Sequence, residues 1–187
     1  GKMGYALAEA AMLRGAEVTL ISGPTAIEPP MFVNVIPIIS AQEMFEKVAT
    51  NATENDIIIK AAAVADYRPK EVCDEKIKKS DHDTEIELER TTDILAYLGK
   101  NKGKTFLCGF SMETENMLEN SRRKLDKKNL DMIVANNLKD KGAGFGVDTN
   151  LITIITRDRE LQLELMSKQD AANCILDEII RKIGNRE

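Results

Sequence analysis

Along this chain the apolar residues keep changing period, from the spacing of a helix to the short continuous runs of a buried strand and back again. Tyr5, Ala6, Ala8, Ala11, Met12 and Leu13 recur at helical spacing, Gly15 ends that helix, and Val18, Thr19, Leu20 and Ile21 read as a buried strand. The pattern then repeats, with a strand over 33–39, a helix over 41–49, and a strongly apolar strand Ile57, Ile58, Ile59 running into Ala61, Ala62 and Ala63. Such alternation predicts a mainly parallel sheet with helices on both faces, because strands covered on both sides lose the in-and-out polarity of a half-exposed sheet.

The periodicity breaks over 66–79, where Tyr67, Arg68, Pro69 and a mixed charged run predict a long functional loop leading to a half-exposed strand at 85–89. A helix at 93–98, a strand at 105–110, a charged helix at 115–128 and a strand at 132–135 ending at Asn136 and Asn137 resume the alternation. A Gly-rich turn at 142–146 follows. Two β-rich runs, 151–156 and 161–165, flank Arg157, Asp158 and Arg159 and predict a hairpin. The closing helix, 171–183, carries Ala172, Ile175, Leu176, Ile179 and Ile183 on one stripe. The expected fold is therefore α/β, a Rossmann-like doubly wound sheet with a C-terminal β-hairpin plus helix. A length of 187 residues with 43% hydrophobic content suits one core, so residues 1–187 are expected to form a single domain. The chain opens directly on Gly1, Lys2, Met3, Gly4 and a helix, without the strand that usually delivers a doubly wound sheet to such a turn, and so reads as truncated at its N-terminus.

Several function classes lack material. A net charge of −5 argues against general nucleic-acid binding, which needs a dominant basic face. Cys73, Cys108 and Cys174 lie far apart without the spacing of a disulfide framework or a zinc site. The single histidine, His82, stands in a polar run expected to be a solvated turn, which leaves little for a histidine triad or His-ligated metal. No apolar run is long enough to span a bilayer and no export leader is present, so a cytoplasmic location is expected.

In open α/β sheets ligands bind beyond the carboxyl ends of the strands. Four such ends carry unusual residues: Ser22, Gly23 and Pro24; Ala61 through to Arg68; Gly109, Phe110, Ser111, Met112, Glu113 and Thr114; and Ala135, Asn136 and Asn137. Gly1, Lys2, Met3 and Gly4 put free backbone N–H groups at a helix start, which suits either a phosphate or ordinary capping. The small side chains of 61–65 would let a planar base approach the backbone, with Asp66 placed to accept from a hydroxyl or hold a cation, although on local pattern alone tight helix–sheet packing and a turn-forming Asp are the plainer reading. Lys76, Lys78 and Lys79, and Lys124, Lys127 and Lys128, read either as solvated surface or as neutralisers of a triphosphate.

Taken in order, Gly1 to Gly4, Ser22 to Pro24, the run 61–69, the run Lys76, Ile77, Lys78, Lys79, then Thr92 to Leu95, Gly109 and Phe110 with Glu113 and Thr114, and residues 124–137 resemble the bacterial phosphopantothenate–cysteine ligase domain. The resemblance implies an enzyme of coenzyme A biosynthesis. In that family the carboxylate of 4′-phosphopantothenate attacks the α-phosphate of CTP, and the cysteine amine then displaces CMP from the acyl-cytidylate, with Mg²⁺ assisting. Carried over by motif, Lys76 would be catalytic and contact the triphosphate, Lys124 and Lys128 would serve the nucleotide, and Ala62, Asp66 and Phe110 would line the cytidine pocket. Gly1, Lys2 and Asn136 are further candidates, and no metal ligand is specified. The family's loop places an asparagine just before the position of Gly1, so a chain lacking it is expected to bind CTP yet turn over poorly. In many bacterial relatives a flavin-dependent decarboxylase is fused upstream, so the resemblance implies FMN only if one precedes this chain, and it implies a homodimer. Two rivals remain at this stage. An NAD(P)-dependent Rossmann oxidoreductase would need the full glycine fingerprint, and a non-catalytic α/β interaction domain would show no nucleotide selectivity.

Overall fold

The computed structural model describes residues 1–73, 75–76, 85–113, 116–137 and 147–184. Lys78, Lys79, His82, Thr114 and the Gly-rich turn 142–146 lie outside the described residues.

The chain opens with helix α1 (Lys2–Leu13), followed by strands β1 (Thr19–Ser22) and β2 (Asn34–Pro37), helix α2 (Ala41–Asn51), a single 3-10 turn (Ala52–Glu54) and strand β3 (Ile57–Lys60). Strands β4 (Tyr67–Pro69) and β5 (Leu88–Arg90) precede helix α3 (Ile94–Asn101), strand β6 (Phe106–Glu113), helix α4 (Met117–Lys127) and strand β7 (Met132–Asn137). Strands β8 (Thr149–Asn150), β9 (Ile152–Thr156), β10 (Glu160–Gln162) and β11 (Met166–Ser167) lead into helix α5 (Lys168–Gly184).

The central sheet has the order β10-β9-β7-β6-β3. Strands β3, β6 and β7 are parallel, whereas β9 and β10 run antiparallel and form the hairpin expected around 157–159. Two cores sandwich this sheet. On one face Phe106, Cys108, Met132, Val134, Ile152 and Ile154 meet α1 and the apolar stripe of α5; on the other Leu107, Ile133 and Ile155 meet α2, α3 and α4. This is the mainly parallel, doubly covered α/β fold that the alternation implied.

Four local expectations need correction. Strand β1 is half-exposed instead of buried, because it pairs with β2 alone in a separate parallel two-stranded sheet. The stretch after Asp66 is not one unbroken loop: Tyr67, Arg68 and Pro69 pair antiparallel with Arg90, Glu89 and Leu88, and the Arg68–Glu89 and Lys70–Glu87 ion pairs brace the ribbon. That pairing also moves the expected 85–89 strand to Leu88–Arg90. Third, α3 runs on through Gly99 to Asn101, since the glycine is where α3 and the end of α4 touch. Fourth, the strand expected over 161–165 ends at Gln162, with Glu160–Gln162 pairing to β9, and a separate strand, Met166–Ser167, pairs with β8.

Helix α1 spans both sheets. Tyr5 Oη lies 3.0 Å from Ser22 Oγ at the end of β1, while Ala6, Leu7 and Ala10 share a core with Ile57 and Ile59 of β3. The backbone shows which way each strand's peptide groups point. The carbonyls of Val18 and Ser22 bond to β2 and its continuation, and the Asp56 carbonyl accepts from Phe106, so by alternation the N–H groups of Thr19, Ile21, Ile57 and Ile59 face away from every described strand. Hydrogen exchange followed residue by residue should therefore run at least about tenfold faster at Ile57 and Ile59 than at Ile58, and faster at Ile21 than at Leu20. Uniform protection along β3 would contradict this register.

Candidate functional site

Because β3, β6 and β7 are parallel, their carboxyl ends share one edge of the sheet. Register pairs Lys60 with Gly109, Ser111 with Ala135, and Met112 with Asn136, so the Ala61–Ala62 backbone leaves the sheet beside Phe110 and Ser111 and two strands from Asn136. The first turn of α1 closes the same edge: a Cβ at Gly4 would sit 3.8 Å from the Ala61 Cβ, and Asn150 Nδ2 lies 3.6 Å from Met3 Sδ. Gly1 caps α1 without any side-chain acceptor, so the first N–H groups of the helix depend on backbone and solvent.

Strand alternation divides the candidates between the faces of the sheet. Phe110 packs, partly buried, against the core shared with α1 and α5. Ser111 points to the other face, where Lys124 Nζ of α4 donates to its hydroxyl at 3.3 Å. One turn further along α4, Lys128 Nζ reaches Asp93 at 3.1 Å from Oδ1 and 2.9 Å from Oδ2. Burial works to raise the Asp93 pKa, but the bond from Lys128 and the N–H of Ala96 outweigh it and hold the carboxyl below its usual range. Asp93 thus caps α3 and anchors Lys128 together.

The remaining candidates are less gathered. Ala62 and Asp66 are exposed on the segment leaving β3, and the Asp66 backbone carbonyl is tied to Thr91 N at 3.0 Å, which keeps the turn against the start of α3. Among the described residues the Asp66 carboxylate has no ion pair. Lys76 is exposed and bonds to none of the described residues. Lys2 pairs with Asp148 at 2.6 Å, and that bond lowers the pKa of the Asp148 carboxyl. Asn136 is 5% exposed and donates to Asn150 Oδ1 at 2.8 Å, while its own Oδ1 is buried with no hydrogen-bond partner among the described residues. Among the described residues no group of three or more His, Cys, Asp or Glu is placed to hold a metal, and no described helix is long and apolar enough to cross a membrane.

The structure adds side chains that the sequence pattern did not single out. Lys60 ends β3 with its ammonium donating to the Ala62 carbonyl at 2.9 Å, in the midst of Asp66, Asp93 and Lys128. A charge closing an apolar run marks where a strand leaves the sheet, and that was the available signal. Asn150, by contrast, meets Asn136 because β9 lies antiparallel to β7, a pairing that no local pattern announces.

Compared with known proteins, residues 1–183 match the family described as DNA/pantothenate metabolism flavoprotein C-terminal domain. The coenzyme A biosynthesis bifunctional protein CoaBC of Bacillus subtilis is 50% identical over 181 residues, covering 96% of this chain and 45% of that protein. A cysteine/cysteine sulfinic acid decarboxylase from an unidentified prokaryote is 48% identical over 186 residues, 98% of this chain and 51% of that protein. The crystal structure of the C-terminal domain of a coenzyme A biosynthesis bifunctional protein CoaBC superposes with a TM-score of 0.84 at 43% identity, covering 99% of this chain and 84% of that one. The chain spans about half the length of the two relatives, at 45% and 51%.

Proposed function

The chain belongs to the DNA/pantothenate metabolism flavoprotein C-terminal domain family, and from that premise we propose that it joins 4′-phosphopantothenate to cysteine at the expense of CTP. The observation that supports the proposal is the shared carboxyl edge of β3 and β6, from which the Ala61–Ala62 backbone leaves beside Phe110, with Lys124 and Lys128 of α4 held by Ser111 and Asp93 on the opposite face.

The chemistry asks three things of such an edge. A carboxylate must meet an α-phosphate in line, the charge growing on the departing pyrophosphate must be spread, and water must be kept from the acyl-cytidylate until an amine attacks it. The small side chains Ala61, Ala62 and Ala63 leave room for the pyrimidine against the backbone, and Phe110 offers it an apolar wall. Lys124 and Lys128 are held in place before any nucleotide arrives, by Ser111 and Asp93, so little ordering is needed on binding. Lys76, exposed and uncommitted among the described residues, is assigned to the triphosphate. Gly1 and the first turn of α1 offer N–H groups to a second anion.

Mg²⁺ keeps several waters and takes one or two carboxylates alongside phosphate oxygens, and the exposed Asp66 carboxylate fits that demand. When bound, the ion would neutralise phosphate charge. The homodimer, the cytoplasmic location and the single-domain organisation are parts of the same proposal, and FMN enters only with an accompanying decarboxylase.

Calorimetric titration with CTP and with ATP in the presence of Mg²⁺ tests the assignment. CTP is expected to bind more tightly than ATP, and Lys76→Ala to weaken CTP by about tenfold, the loss typical of one charge-assisted bond. Equal affinity for the two nucleotides, or none for either, would refute it.

A further inference from the structure

Lys60 occupies a position that none of the assigned roles uses. By alternation along β3 its side chain shares the face of Ile58, the face that also carries Ser111, Lys124, Asp93 and Lys128. Three ammonium groups, from β3 and from α4, thus converge at the carboxyl ends of β3 and β6, opposite the face on which Phe110 packs. The Lys60 side chain is half-buried, and among the described residues its one hydrogen bond goes to the Ala62 carbonyl at 2.9 Å. An ammonium has three donors, so two remain uncommitted. Burial lowers its pKa, the charge of Lys128 adds to that, and Asp93 and Asp66 act in the opposite direction. Much of the cost of desolvating this cation is therefore met by the fold before a ligand arrives.

Resting on the proposal that this edge takes CTP, we infer that Lys60 is a further nucleotide-binding residue, donating to a phosphate oxygen with the hydrogens left over from its bond to the Ala62 carbonyl. The two faces of the sheet then divide the nucleotide, with the polyanion on the lysine side and the pyrimidine toward Phe110.

Titration of the 187-residue chain with CTP, cytidine and inorganic tripolyphosphate, on the parent and on Lys60→Met, Lys60→Gln and Lys60→Arg, tests this. Lys60→Met should weaken CTP and tripolyphosphate by about tenfold and leave cytidine within about twofold. Lys60→Gln, which can still donate to Ala62 O but carries no charge, should show the same loss, and Lys60→Arg should recover most of it. Thermal midpoints of the variants separate these losses from unfolding. Unchanged tripolyphosphate affinity in Lys60→Met and Lys60→Gln, or cytidine weakened as much as CTP, overturns the inference while leaving the CTP assignment intact. A parent chain that binds tripolyphosphate through Lys60 but has no preference for CTP over ATP sinks the assignment and keeps Lys60 as a polyphosphate ligand. A parent that binds none of the probes overturns both.

Discussion

Gly99→Ala is expected to destabilise the protein by about 3 kcal/mol, the upper part of the range for overpacking a filled site. A Cβ at Gly99 would lie 1.8 Å from the Lys128 carbonyl oxygen and 2.9 Å from its carbon, so the obstacle is backbone and has no flexible end to swing aside. The contact is also tied from the other side, because Asn129, held at φ 50°, donates from Nδ2 to the Gly99 carbonyl at 2.9 Å. Helices α3 and α4 would have to separate, and with them Asp93 and Lys128, the pair that orders one end of the candidate site. Urea unfolding should show a lower midpoint at an unchanged slope. Because alanine is the better helix former by about 1 kcal/mol, an unchanged or raised midpoint would mean that α3 and α4 do not meet as described.

Asp131→Ala carries the second large expected effect, again about 3 kcal/mol, through an unpaired charge instead of a clash. The Asp131 carboxylate accepts from Leu107 N at 2.8 Å and from Lys102 Nζ at 2.6 Å, and the side chains of Lys102 and Asp131 are only 11% and 14% exposed. Alanine removes an acceptor that pins the start of β7 to β6 and strands an ammonium in a largely dry place. Asp131→Asn keeps an oxygen for Leu107 and loses only the charge, so it should cost less than alanine. If the two substitutions cost the same in a urea titration, the hydrogen bond to Leu107 contributes nothing and the ion pair carries the whole effect.

Both positions show what a sequence can and cannot disclose. The runs 57–59, 105–110 and 132–135 are legible as strands because a strand covered on both faces is mostly apolar, a condition written into each segment alone. Gly99 reads locally as a stop, and only the approach of Lys128 from another helix explains why the helix continues through it. All three residues of Tyr67–Pro69 are exposed and one is a proline, so nothing in it announces a strand; its partner, Leu88–Arg90, supplies the reason from about twenty positions away. In the candidate site the Lys124 and Lys128 spacing was readable, as helical neighbours always are. Their partners Ser111 and Asp93 were not, since each comes from a different element, and the Lys60 bond to Ala62 depends on a turn whose path no local pattern sets.

Ile57, Ile59, Thr19 and Ile21 hold out peptide groups that no described strand answers, along edges made of β-branched side chains that add readily to any extended segment of matching direction. Lys60 and Asp56 place a charge at either end of β3 but none within it. These peptide groups can pair with an extended segment of matching direction, from the same polypeptide or from another, and a lysine at Ile57 would weaken that pairing at the expense of the core that Ile57 helps to fill.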